Sequence, residues 1–120
     1  MFLSAVVMTQ SGCYALLLGA AAGAGTIAFV NGDLEYNFDA SVEEVHSASV
    51  RALRKLGLPV SGDVNDKHNA KMKSTYADGK DITITISALT EKSAKIQIRV
   101  GTFGDQARSE NILNTIQKYL

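Results

Sequence analysis

Several things are scarce in this sequence. It has one cysteine, one proline and no tryptophan, and no Asp, Glu, Lys, Arg or His precedes Asp33. A lone cysteine cannot close an internal disulfide, and without a CxxC pair or a His/Cys cluster there is no zinc-type ligand set. The 12 basic and 12 acidic residues cancel, so the electrostatic footprint of a nucleic-acid binder is missing. No long Pro/Gly/Ser stretch marks an interdomain linker. The 120 residues leave room for one domain. Its core must be thin, because so small a domain buries only roughly 60–65 % of its extended-chain surface.

The charge-free start divides the chain into a front end suited to lipid and a back end suited to water. Residues 1–12 read as a signal segment, short and lacking the basic residues expected at its beginning. It ends Gln10-Ser11-Gly12-Cys13. Small side chains before a cysteine are what a lipoprotein signal peptidase requires at the scissile bond, whereas Gln10 stands where an aliphatic residue is usual. This makes Cys13 the candidate lipidation site. The competing reading is a free thiol buried in an apolar helix. Residues 13–32 then form an apolar Gly/Ala-rich stretch, in which Gly19 and Gly23 have GxxxG spacing. Its apolar run lies at the lower edge of the length that spans a bilayer. A membrane-dipping segment and a flexible tether beside the acyl anchor fit better than a spanning helix. With Cys13 acylated, Tyr14 rather than Asp after it resembles lipoproteins sorted to the outer membrane of a cell envelope.

From Asp33 to Leu120 the pattern is that of a soluble α+β domain. Leu34, Tyr36 and Phe38 alternate with polar residues as a half-buried strand. Ser41 and Glu44 form a capping box ahead of a helix. Its stripe of Val42, Val45, Ser49, Leu53 and Leu56 ends at Gly57. Pro59 belongs at a strand start or a sheet edge. Ala70, Met72, Ser74 and Tyr76 mark another strand, and Asp78-Gly79 a tight turn. The runs Ile82–Ile86 and Ile96–Val100 are joined by a hairpin near Thr90-Glu91-Lys92. Asp105 caps a last helix carrying Ile112, Leu113, Ile116 and Leu120 on one face. The expected architecture is two-layer: an antiparallel sheet covered on one face by two helices, in the order strand, helix, strands, helix. Thr83, Thr85, Ser87, Lys95, Gln97 and Arg99 would form the polar outer face.

No catalytic constellation emerges, and no catalytic, cofactor or metal residue is nominated. His46 and His68 read as surface residues. Asp63, Asp66, Asp78 and Asp81 lie near turns without calcium-loop spacing. The Gly101-Thr102-Phe103-Gly104 loop lacks the lysine and the spacing of a phosphate loop, and reads as a turn with Phe103 folded under the last helix. The candidate binding feature is the inner face of the sheet. Tyr36, Phe38, Met72, Tyr76, Ile84, Ile98 and Phe103 would line an apolar pocket if the helices stood off the sheet; otherwise they simply fill the core.

The Gly12-Cys13 junction with its Ala/Gly run, Asp39-Ala40-Ser41, Leu56-Gly57 and the string from Ile98 through Arg99-Val100-Gly101-Thr102-Phe103-Gly104-Asp105 to Ile112-Leu113 resemble a family of small Gram-negative lipoproteins grouped as a domain of unknown function. The resemblance implies an envelope location, an association with virulence and a helix-grip fold of the Bet v 1 type. It implies no enzyme activity and no agreed site residues. The functions that follow are an envelope lipoprotein binding a hydrophobic small molecule or an envelope protein, or an assembly accessory that docks without a ligand. The expected mass of the Cys13 peptide from native membranes is that of a diacyl or triacyl adduct at a new N-terminus. An unmodified thiol there would remove the anchor.

Overall fold

The computed structural model describes residues 26–120. Six strands and two helices follow in the order β1 (Ile27–Val30), β2 (Asp33–Phe38), α1 (Val42–Lys55), β3 (Val60–Asn65), β4 (Asn69–Thr75), β5 (Asp81–Thr90), β6 (Ser93–Val100) and α2 (Gln106–Gln117). The strands form one antiparallel sheet in the order β1-β2-β6-β5-β4-β3. Helix α1 carries the chain from β2 to the far edge at β3, and the meander β3-β4-β5-β6 brings it back beside β2. The fold is therefore α+β, with two helices and a six-stranded sheet.

Both helix starts and one helix stop can be traced to single residues. The Ser41 hydroxyl accepts from the Glu44 N–H at 3.2 Å, and the Ser41 N–H donates to the Glu44 carboxylate at 3.0 Å. That is the reciprocal capping box expected from the sequence. At the other end of α1, Gly57 adopts φ +73°. Its N–H then reaches the Arg54 carbonyl at 3.1 Å and the Leu58 N–H reaches Leu53 at 2.8 Å, the paired bonds of a Schellman stop. Arg54 and Lys55 in the last turn complement the helix dipole. Asp105 caps α2 by accepting from the Arg108 N–H at 3.0 Å.

Period-2 alternation decides which strand residues meet the helices. Leu34, Met72, Ile82, Ile84, Ile86, Ile96, Ile98 and Val100 all face inward and are essentially without exposure. Register places Ile84 opposite Ile98 and Ile86 opposite Ile96, with Met72 beside Ile84. Val45, Ala52 and Leu53 of α1 and Ile112, Leu113 and Ile116 of α2 close over them in the same cluster. On the outer face, Lys95 bonds Glu35 at 3.2 Å, Gln97 donates to Glu35 at 3.0 Å and Arg99 pairs with Asp33 at 3.1 Å.

Two expectations need correction. The sheet already includes residues ahead of Asp33, the expected start of the domain: Ile27–Val30 pairs with Asp33–Tyr36 around an Asn31-Gly32 turn. Asn31 at φ +53° and Gly32 at φ +90° give the turn the twist that suits a two-residue hairpin. Phe103 is not under α2; it is 90 % exposed. Arg99 explains this, since its guanidinium donates to the carbonyls of Asn31 and Thr102 and draws the 101–104 loop onto the β1–β2 turn. Gly104 lies so close to the Gly32 backbone that a Cβ there would overlap it. With its backbone pressed down, the loop turns the Phe103 ring outward.

The two sheet edges differ. β3 carries a bulge between Val60 and Gly62, follows Pro59, and turns Asp63 toward the helix side, where His46 Nε2 meets it at 2.8 Å. β1 is short and uncharged and contains no bulge. Ile84→Ala should cost about 2–5 kcal/mol, a large share of a small domain's stability. Chemical denaturation measures it, and a loss below about 1 kcal/mol would show the paired isoleucines to be loosely packed.

Candidate functional site

The seven residues expected to line a pocket are split by the structure. Met72, Ile84 and Ile98 have zero exposure and Phe38 is buried, so these four form part of the closed core. Tyr36 is half-buried beside Phe38, their rings edge to face at 4.7 Å between centroids. Tyr76 is half-buried at the opposite border, with the Arg108 guanidinium 4.5 Å above its ring. Burial pushes the Tyr76 phenol above its ordinary value. Phe103 stands apart in solvent. Cys13 lies outside the described residues.

A concavity lies elsewhere, at the end of the sheet where α1 begins. A cleft of about 750 Å³ opens between the first turn of α1 (Ser41, Val42, Glu43, His46), the β3–β4 turn (Asn65–His68) and the end of β5 (Ala88–Glu91). Its apolar floor is Val42, Ala88 and Leu89. Its rim is polar and already organised. The Asp66 carboxylate accepts from the His68 and Asn69 N–H groups at 2.8 and 2.9 Å, and the Ala88 N–H donates to the His68 carbonyl at 2.8 Å. The turn is thus locked by its own aspartate and tied to β5. Leu89 is 51 % exposed because the β5–β6 register shifts between Ala88 and Thr90, which makes it the extra residue of a bulge. The sequence carried one sign of this: Leu89 directly after Ala88 breaks the alternation of Ile82, Ile84 and Ile86. The inward turn of Asp63 to meet His46 had no such sign, since it follows from strand pairing across a helix. A second groove of about 540 Å³ runs between Asp39, Glu43, Ser47 and Arg51 on one side and Tyr119 and Leu120 on the other.

The family model described as "Protein of unknown function (DUF3568)" matches residues 1–119. The chain belongs to this family. No curated protein matches it.

In this DUF3568 domain the polar groups around the cleft are engaged with one another, which sets what it can do. The Ser41 hydroxyl is held by Glu44, and His46 is held by Asp63. Among the described residues, no three His, Cys, Asp or Glu side chains are close enough to share a metal ion. No helix among them is long and apolar enough to cross a membrane. The arrangement suits recognition of a surface or segment with a small apolar contact and polar edges.

Four carboxylates, those of Glu35, Glu44, Asp66 and Asp78, are held in their charged form. Arg108 donates to both Asp78 oxygens, at 2.9 and 3.3 Å. That pairing, followed by the Lys80 N–H, keeps Asp78 below its ordinary 3.8. The His68 and Asn69 N–H groups do the same for Asp66. The Ser41 N–H holds Glu44 below its ordinary 4.5, and the Gln97 amide lowers Glu35. A carboxyl whose folded pKa is depressed contributes its full stabilisation above the unfolded value and loses it as pH falls through the folded one. Stability should therefore fall on acidification from about pH 5 toward about pH 2. Asp78→Asn should make that acid limb shallower when unfolding midpoints are compared across the range. An unchanged slope would show the Arg108 pair to be energetically idle.

Proposed function

We propose that this chain is a lipoprotein of the cell envelope, attached through Cys13 and the apolar stretch after it, whose domain docks onto another envelope component. The observation that carries the docking reading is the filled inner face. Met72, Ile84 and Ile98, the centre of the expected pocket, have no exposed surface, and helix side chains occupy the space above them. A hydrophobic small molecule inside the domain would have to separate the helices from the sheet and expose those groups. A partner at the cleft needs no such rearrangement. Two helices on one face, in the order two strands, helix, four strands, helix, support a helix-grip reading in which the gripped space is closed by side chains.

The ligand-binding alternative makes a measurable difference. A fatty acid at a hundredfold excess over its Kd would add about 2.7 kcal/mol, roughly 10 °C or more in Tm for a domain of this size. Docking without a ligand predicts an unchanged Tm with palmitate, oleate or an envelope lipid extract. A rise of that size would restore the apolar pocket as the functional site.

A further inference from the structure

Of the nine large apolar side chains exposed among the described residues, four lie on β1 and the loop after β6. Ile27, Phe29 and Val30 of β1 are 44 %, 37 % and 47 % exposed, and Phe103 is 90 % exposed. All four belong to one corner of the domain. Ile27 and Phe29 sit opposite Tyr36 and Leu34, hence on the helix side of the edge strand, and Val30 sits opposite Asp33 on the other side. Phe103 is added from β6 by the clamp described above, in which Arg99 holds Thr102 and Asn31, and Gly104 rests on Gly32. A large ring held out to water by a fixed loop costs solvation that nothing within the described domain repays.

Resting on the anchored reading given above, we infer that this corner is the domain's membrane-contact surface: Phe29, Val30 and Phe103 enter the headgroup layer of a phospholipid bilayer. The chain itself argues for this occupant. The apolar stretch that follows Cys13 runs into β1 without a charged residue or a polar spacer, and the first formal charge, Asp33, comes only after the β1–β2 turn. An anchored stretch of that kind delivers β1, before any other element, to the lipid surface.

The electrostatics of the corner agree. Asp33 is matched by Arg99, Glu35 by Lys95, and Asp105 and Asp78 by Arg108, while Asp81, whose carbonyl accepts from the Gly101 N–H, has no ion pair among the described residues. The Lys80 stem lies alongside Gly101 and adds an ammonium near the Phe103 loop, which favours anionic headgroups. Depth is limited by the backbone. Val30–Asp33 is the bonded pair next to the two-residue turn, so Ile27 and Phe29 direct their N–H and C=O groups away from β2. Such groups are satisfied in the hydrated headgroup layer and are not tolerated in hydrocarbon. The geometry therefore gives a shallow contact at the sheet edge. The cleft formed by Ser41–His46, Asn65–His68 and Ala88–Glu91 lies at the opposite end of the strands, clear of the bilayer.

Because the chain has no tryptophan, one substitution reports on one place. The full-length chain carrying F103W, purified from membranes with its anchor, is reconstituted in phosphatidylethanolamine–phosphatidylglycerol vesicles with and without brominated phosphatidylcholine. L89W, at the cleft end, is the companion. The expected result is blue-shifted F103W emission reduced roughly twofold by bromolipid, as befits a ring about 5–10 Å into the headgroup boundary, with L89W unquenched. Protein that floats with the vesicles but leaves F103W unquenched would overturn the orientation and leave the anchor standing. A blue shift without bromine quenching would mean that protein, a second copy or a partner, covers Phe103, and would also overturn it. Quenching of both reporters would reduce the contact to an unoriented one. Protein that fails to float would remove the anchor, and the orientation with it.

Discussion

Everything in this fold depends on the ladder between β5 and β6. Four successive inward pairs, Ile82 with Val100, Ile84 with Ile98, Ile86 with Ile96 and Ala88 with Ala94, give the sheet its apolar spine. β-branched side chains suit a pleated surface because their restricted rotamers lose little on packing. The ladder fixes register, and register fixes which residues α1 and α2 must cover. Because the pairing is exact in period, a slip of one residue would turn Thr83, Thr85, Gln97 and Arg99 into the core. The other edge of β6 pairs with β2, and that register sets Glu35 opposite Gln97 and brings Lys95 and Arg99 within reach of Glu35 and Asp33.

At the two ends of that spine the side chains change character, and so does the molecule. Toward Ala88 and Ala94 the inward residues are small, α1 begins, and the cleft opens. Toward Ile82 and Val100 the turns are drawn together by two arginines. Arg99 ties the β6 exit loop to the β1–β2 turn, and Arg108 ties the β4–β5 turn to the start of α2 while covering Tyr76. Guanidinium groups suit this role because one planar fork can satisfy several oxygens at once. One end is thus bound by charge, and the other presents a recess.

Much of this was legible in the sequence, for identifiable reasons. The capping box at Ser41, the stop at Gly57, the alternation of β5 and β6 and the cap at Asp105 are local signals, each set by a few neighbouring residues. β1 was not read, although Asn31-Gly32 between apolar and alternating residues is a strong hairpin signal. The uncharged run before it has the composition of a membrane stretch, and composition masked the turn. Whether the inner face would hold a pocket or a filled core was open for a different reason: alternation shows which residues face inward but not how closely two helices settle over them. Phe103 was misplaced because its position depends on Arg99, four residues earlier, and on Gly32, far away in sequence.

The bulge after Val60, with Pro59 before it and Asp63 turned toward His46, has a consequence for assembly. Strand-by-strand growth requires that every copy offer two compatible flanks, and here one flank is spoiled for further hydrogen bonding. Pairing of copies through the β3 edge is therefore disfavoured. A proline-led, bulged flank is a poor template for the strand addition by which an isoleucine-rich sheet would grow into a fibril.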